Sequence, residues 1–374
     1  MKFWLIAIPS HPNPNHAWSA LYSTIGDYPY AYTDMKQLRL PDFTIGTLDA
    51  LILAAEALQK HDAALESTVY KMMDTLHGLL KDAGLDSDDA PLALPPINNR
   101  SFVDVVMDFE WNVSKYRSDR PIREIGQAIG AEVGQVEHAT RVRMNQYQQL
   151  KGQLHAMERK NVGNLSVRAL TDVIQRHHVV LDSEYLNTLF VAVPKSLEDS
   201  WWASYESLVP MVVPRSSETI TQDAEYLLVN VTVFKKTTPE FITRCREERF
   251  IVRDFTFEEG KSDQDVRAMA EYSSSRDLSR TQLMEWTRTN LADVCGAWVH
   301  IKMLRLFAES VLRYGLPPEF VYAVAHVKPK TEDKAKARME QRYAYLGREF
   351  EPLADEVDKE EYRPYVWFPL EYGK

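Results

Sequence analysis

Gly260-Lys261-Ser262 is the stretch of this chain that comes nearest to a phosphate-binding loop. Such a loop needs Gly-x-x-x-x-Gly-Lys-Ser/Thr, so that backbone amides close on the anion and the lysine reaches the terminal phosphates. Phe255 holds the place of the first glycine, within a run that reads as a strand, so a solvated turn is the better reading. His177-His178 lacks His-Glu-x-x-His spacing, and adjacent side chains point apart, which makes a polar rim rather than a zinc site. Asp86-Ser-Asp-Asp89 has calcium-type carboxylates, but Pro91 stands where a calcium loop requires glycine. Neighbouring carboxylates diverge on helix or strand alike, so Glu247-Glu248 and Glu258-Glu259 read as solvated faces rather than acid–base pairs. Cys245 and Cys295 form no CxxC pair and have no histidine nearby in sequence, although a partner brought close by folding stays open. Read by motif, the sequence offers no evident catalytic, cofactor-binding or metal constellation, and no cofactor is expected.

The charge balance narrows the partners. Against 44 Lys and Arg stand 54 Asp and Glu, a net charge of −10, which argues against binding nucleic acid through a phosphate-seeking basic face. Apolar residues at 45% are enough for packed cores, and 374 residues at about 150 per domain give two or three domains. Only 14 glycines favour long uninterrupted elements over turn-rich β architecture. Two cysteines without a disulfide pattern fit a reducing compartment. The opening Met1-Lys2-Phe3-Trp4-Leu5-Ile6-Ala7-Ile8-Pro9 reads as a first strand, too short in apolar residues for a signal core. No apolar run approaches the roughly 18 residues of a membrane span, so membrane association would come through a partner. In a cytoplasmic chain the N-x-S/T triplets at Asn112, Asn164 and Asn230 carry no glycan.

The elements that must position these residues begin with a helix between Gly46 and Gly84. Leu48, Ala55, Val69 and Leu76 share one heptad position and Leu51, Leu58, Leu65, Met72 and Leu79 another, with Asp62 the polar break. A second helix follows Pro121 to about Lys160, its seam of Ile122, Ile129, Val133, Val136, Tyr147, Leu150, Leu154 and Met157 interrupted by Thr140 and Arg143. At 1.5 Å per residue such a helix spans ~60 Å, which predicts an elongated molecule. Antiparallel pairing of the two would set Asp62 opposite Arg143 as a register-fixing ion pair, a structural seam rather than a catalytic one. A third helix reads from Thr281 to Tyr314 and stops at Gly315 and Pro317-Pro318.

Between the second and third helices, Tyr185–Val193, Glu225–Phe234 and Phe250–Phe255 read as strands, with Ser196–Leu208 and Thr238–Glu248 as helices. They make an α+β module inserted in a discontinuous lower domain, whose own strands are Phe3–Ile8, Phe320–Val327 and Tyr365–Leu370. Asp86–Pro96 and the serine-containing Lys261–Arg280 read as flexible, and no repeat of 20 to 50 residues is visible. On the helix Ser196–Leu208 the apolar stripe is Leu197, Trp201, Tyr205 and Leu208. Trp202 falls outside it and is a candidate partner-binding anchor beside the plainer reading of an edge residue.

Several strings then carry a resemblance. Pro41-Asp-Phe-Thr-Ile-Gly-Thr-Leu-Asp49, Leu94-Pro-Pro-Ile-Asn-Asn99, Arg159-Lys-Asn-Val-Gly-Asn-Leu-Ser-Val-Arg168, Val193-Pro-Lys-Ser-Leu197, Asp223-Ala-Glu-Tyr226, Glu309-Ser-Val-Leu-Arg-Tyr-Gly-Leu-Pro317 and the closing Tyr365-Val-Trp-Phe resemble, in order, the C-subunit family of the vacuolar-type proton-pumping ATPase (V-ATPase). The resemblance covers nearly the whole chain and departs from the family in Ser10–Asp34 and Asp86–Pro91. It implies an elongated α+β fold with a head at 167–261, neck segments at 153–166 and 262–281, and a foot at 1–152 and 282–374 holding both termini. It also implies a non-catalytic stator on the cytoplasmic face of vacuolar or other endomembranes. There it would bridge stalks of the E and G subunits to the membrane a-subunit and control reversible assembly, with actin a further partner the resemblance raises and with no direct membrane insertion. The competing readings are a free-standing cytosolic enzyme, told apart by turnover, and a coiled-coil scaffold, told apart by filament binding.

Overall fold

The structure, a computed structural model, describes residues 2–26, 33–85, 101–347 and 363–371. Along the chain the elements are β1 (Lys2–Pro9), α1 (Pro14–Ile25), β2 (Thr33–Leu38), α2 (Leu48–Asp82), α3 (Phe102–Met107), α4 (Ile122–Asn161), β3 (Leu186–Pro194), α5 (Glu198–Ser204), β4 (Glu218–Gln222), β5 (Tyr226–Phe234), α6 (Thr238–Glu247), β6 (Ile251–Arg253), α7 (Lys261–Tyr314), β7 (Phe320–Val327), α8 (Glu332–Tyr343) and β8 (Val366–Glu371). Helices combine with two antiparallel four-stranded sheets, so the fold is α+β. The chain divides into two compact units, one from Met1–Met144 with Thr281–Lys374, the other from Asn145–Arg280.

In the first unit the strand order is β2-β7-β1-β8. Alternation along β1 sends Phe3, Leu5 and Ala7 to one face and Trp4, Ile6 and Ile8 to the other, and all six are buried because both faces are covered. The first face packs against α2, α3, α4 and α7 and the second against α1 and α8. Thr47 caps α2, and its seam Leu51, Leu58, Leu65, Met72 and Leu79 is buried throughout. Gly315, at φ +83°, ends α7 in the left-handed conformation that a β-carbon would disfavour.

In the second unit the order is β4-β5-β3-β6. β3 and β5 each lead through a one-turn 3-10 segment into a short helix, α5 and α6 respectively. Trp201 and Phe241 hold corresponding places in these two helices and meet edge to face at 6.5 Å. The unit is therefore a duplicated strand–turn–helix, a repeat the sequence hides because packing needs only apolar bulk at the paired positions. Leu165, Leu170 and Ile174 cover the other face of the sheet over Phe190 and Leu228.

Several boundaries differ from the sequence reading. Lys261–Arg280, expected to be flexible, is the first part of α7. No glycine or proline interrupts the chain between Ser262 and Cys295, and Asp277 pairs with Arg276 and Arg280 on the helix surface. The helix expected at Ser196–Leu208 is only α5, since the Ser204 and Ser207 hydroxyls donate back to the Ser200 and Ser204 carbonyls and compete with its continuation. The strand expected at Phe250–Phe255 shrinks to β6 because Phe255 leaves the sheet to pack edge-on against Phe190 at 5.5 Å. α1, β2, α3, β4 and α8 are additional. Two of them carried local signals, Asn13 capping with Pro14 at the first turn and the Ser101/Asp104 capping box.

Of the four glycines of α4, Gly126, Gly130 and Gly134 serve different ends. A β-carbon on Gly126 would sit 2.7 Å from Leu58 Cδ2 and one on Gly130 2.6 Å from His61 Nδ1, whereas one on Gly134 meets nothing within 4 Å. Gly134→Ala therefore stabilises the chain by about 0.5–1 kcal/mol through helix propensity. Gly126→Ala loses that gain against the fully buried Leu58, and urea midpoints of the two variants check the contrast.

Candidate functional site

α2 and α4 run parallel. Leu58 faces Gly126, His61 faces Gly130 and Lys71 Nζ pairs with Glu137 at 3.0 Å, so residue numbers rise together along both helices. The antiparallel pairing expected from the heptads is thereby corrected, because an apolar seam specifies which face is buried and not the direction of its neighbour. Asp62 and Arg143 consequently have separate partners. Arg143 donates to the Ala139 carbonyl and lies 3.8 Å over the Trp286 ring, whose Nε1 donates to Thr140 Oγ1 at 3.2 Å. One stacked indole thus accounts for both polar breaks in the α4 seam.

Asp62, 2% exposed, is answered from α7. Trp298 Nε1 donates to its Oδ1 at 2.8 Å, Lys302 Nζ pairs with its Oδ2 at 2.9 Å, and Arg305 pairs with the same oxygen. Positions 298, 302 and 305 share one face of α7 by helical spacing. Lys302 lies 5.5 Å from the Trp298 ring centroid and the Arg305 guanidinium 4.5 Å from that of Phe368 on β8, so the cluster ties α2, α7 and the sheet together. One carboxylate faces two cations, and the burial of Lys302 leaves it little recourse to water. Sequence reading missed Lys302 and Arg305, yet the signal was present: like Asp62, they interrupt a long apolar stretch, here Val294–Val311.

His300, on the same helix, holds a loop. Its Nδ1–H donates to the Gly296 carbonyl at 2.7 Å and its Nε2 accepts from the Asn112 amide at 3.2 Å. Phe109, Trp111 and Tyr116 surround the ring, each centroid at 4.9 Å. Trp111 Nε1 donates to the Tyr116 carbonyl, and the Tyr116 hydroxyl donates to Glu132. Burial pushes the imidazole down to about 4, so it is neutral near pH 7 with its proton on Nδ1. A cavity of about 240 Å³ beside it is lined by Asp108, Glu110, Lys115 and Asp293 among others. Both ring nitrogens are already satisfied, so the histidine acts as a clamp and not as a proton shuttle.

The remaining sequence candidates are dispersed. Burial pushes the thiols of Cys245 and Cys295 up to about 12, which leaves neither a nucleophile near neutral pH. His177 and His178 do not point apart as expected: in the 3-10 turn Arg176–His178 their rings lie 3.9 Å from each other, with His178 Nδ1 accepting from the Gln175 amide. Among the described residues no group of three His, Cys, Asp or Glu side chains could hold a metal ion. Gly260 takes φ +79° and Lys261 Nζ pairs with Glu258 in the first turn of α7. Glu259 pairs with Arg176 and Glu247 with Arg244, so these carboxylates do not converge. Trp202 is 39% exposed with its ring edge on Tyr205 at 6.0 Å, while Trp201 is buried and donates to Ser217 Oγ. Asp86-Ser-Asp-Asp89 and the Leu94–Asn99 string lie outside the described residues. Among the described residues no helix is long and apolar enough to cross a membrane.

Comparison with known proteins gives this arrangement its context. The sequence profile of the V-ATPase C subunit matches residues 3–366. The V-type proton ATPase C 1 subunit of Xenopus tropicalis is 33% identical over 99% of this chain and 98% of its own length. That of Macaca fascicularis is 34% identical at the same coverage, as is the C 1-A subunit of Danio rerio. The profile spans all of the helices and, apart from Lys2 of β1 and the part of β8 beyond Val366, every strand, and the chain belongs to the V-ATPase C-subunit family.

Proposed function

We propose that the chain is a non-catalytic stator subunit in the peripheral, ATP-hydrolysing sector of a vacuolar-type proton pump. It bridges the stalks built by the E and G subunits to the cytoplasmic part of the membrane a-subunit. Its release and return control reversible assembly of the pump, and hence ATP-driven proton transport and acidification of the organelle. The observation that carries this reading is the match over residues 3–366, together with relatives, aligned over 98% of their own length, that are named as the C subunit of the V-type proton ATPase. The chain works on the cytoplasmic face of vacuolar or other endomembranes, held there by its partners.

The architecture supports the role physically. A stator passes torque between partners, which favours long helices such as α2, α4 and α7 with 35, 40 and 54 residues, locked at their contacts by charge and aromatic packing. Reversible release favours several interfaces of modest strength, because joint occupancy gives avidity and loss of one contact loosens the rest. Affinity capture of the tagged chain from its source cells, read by mass spectrometry, tests the proposal. The E, G and a subunits are expected in the capture, and the purified chain alone is expected to turn over no ATP. Capture of none of them, under conditions that keep the pump assembled, would overturn it.

A further inference from the structure

We infer that the outer face of α8 and of the turn before it, with Lys330, Lys334 and Arg342, is a docking ridge for an acidic helix of a partner protein in the pump. The inference rests on the reading of the chain as a pump component and adds the chemistry of one contact.

α8 buries Ala335, Met339 and Tyr343 against β1 and β7, leaving its opposite side to solvent. Its two glutamates are both engaged by groups outside that exposed side. Glu332 pairs with Lys2 of β1 at 2.6 Å and with Lys336 at 2.8 Å, and Glu340 pairs with Arg363, just before β8. The carboxylates that would neutralise the helix are thus drawn toward the sheet. Lys330, Lys334 and Arg342 remain exposed, with half-buried Arg338 on the same line one turn from each of the last two. Within α8, Lys334, Arg338 and Arg342 are four residues apart, which places them about 6 Å apart along one face, and Lys330 stands in the 3-10 turn that leads into it. Asp333 is the exposed carboxylate nearest to them in sequence.

A row of cations on a chain of net charge −10 is a local reversal of sign that would steer an anionic surface to this face. The spacing favours a protein helix over a lipid surface. Cations one turn apart match carboxylates one turn apart on a partner helix, and Asp333 beside them gives a register that a fluid array of headgroups cannot read.

The test compares the full chain with K330E/K334E/R342E, binding to pump complexes stripped of this chain and, separately, to phosphatidylcholine–phosphatidylserine vesicles. The wild-type chain is expected to bind the complexes with an affinity that falls as salt rises. The reversed variant is expected to bind roughly tenfold or more weakly, with a shallower salt dependence, and neither protein to bind the vesicles. Circular dichroism verifies the fold of the variant. Should reversal unfold it, K330Q/K334Q/R342Q repeats the measurement with an expected loss of about threefold. Equal binding of variant and wild type to the complexes overturns the ridge while leaving the functional reading intact. Vesicle binding that the substitutions abolish also overturns it, in favour of a membrane contact. Failure of the wild-type chain to bind the complexes overturns the functional reading and the ridge with it.

Discussion

Asp62→Ala destabilises the chain by about 3–5 kcal/mol, the usual cost of removing one side of a buried ion pair. The substitution leaves Lys302 and Arg305 facing each other without their counter-ion and Trp298 Nε1 without its acceptor. Asp62→Asn keeps an oxygen for the indole but not the charge, and falls between the alanine variant and the wild type. The triple change Asp62→Leu, Lys302→Met, Arg305→Met removes all three charges together. Its cost is about 1–3 kcal/mol, that of the buried Trp298 Nε1–H left without its acceptor, because the apolar side chains that replace the charges need no desolvated partner. Urea unfolding followed by far-ultraviolet circular dichroism measures all three. An alanine variant within about 0.5 kcal/mol of wild type would mean that solvent, rather than the carboxylate, balances the two cations.

The second large effect is a loss of stability in mild acid. The folded state holds His300 neutral, with its affinity for a proton lowered by burial to about 4, while the unfolded chain titrates near 6.5. Above pH 6.5 neither state is protonated and the full contribution is present. Between 6.5 and 4 the unfolded state takes up the proton first, so stability falls, and below about 4 nothing remains of it. The span corresponds to about 3 kcal/mol. His300→Gln, which can still accept from the Asn112 amide, flattens this window relative to wild type. Unfolding midpoints of both proteins at pH 7 and pH 4.5 isolate the effect from other titrating carboxylates. Parallel pH profiles for the two would contradict the assignment of the clamp to His300.

What could be read beforehand follows from what each signal encodes. The α2 seam, the central strands of both sheets and the glycine stop of α7 were legible because periodicity and backbone chemistry act locally. The direction of α4 against α2 was not, since heptads are blind to direction, and so the seams point Asp62 at Arg143 rather than at its partners. They lie on α7, more than two hundred positions away in the chain, where Lys302 and Arg305 mark a buried face by interrupting an apolar stretch but do not name their partner. The His300 clamp was hidden for a similar reason: its acceptor role depends on the Asn112 amide, which no side-chain pattern announces. The polar start of α7 reads as a loop because serine favours turns, although a helix tolerates it when no glycine or proline intervenes. The family was legible from collinear strings that individually say little.

The role proposed for the chain is to couple ATP hydrolysis to proton transport without catalysing either. Its most direct test is reconstitution of vacuolar vesicles stripped of this chain, with ATP hydrolysis and luminal acidification followed together. Addition of the purified chain is predicted to restore ATP-driven acidification, while the chain alone hydrolyses no ATP. Full acidification in vesicles lacking the chain, or ATP turnover by the chain in isolation, would contradict the account.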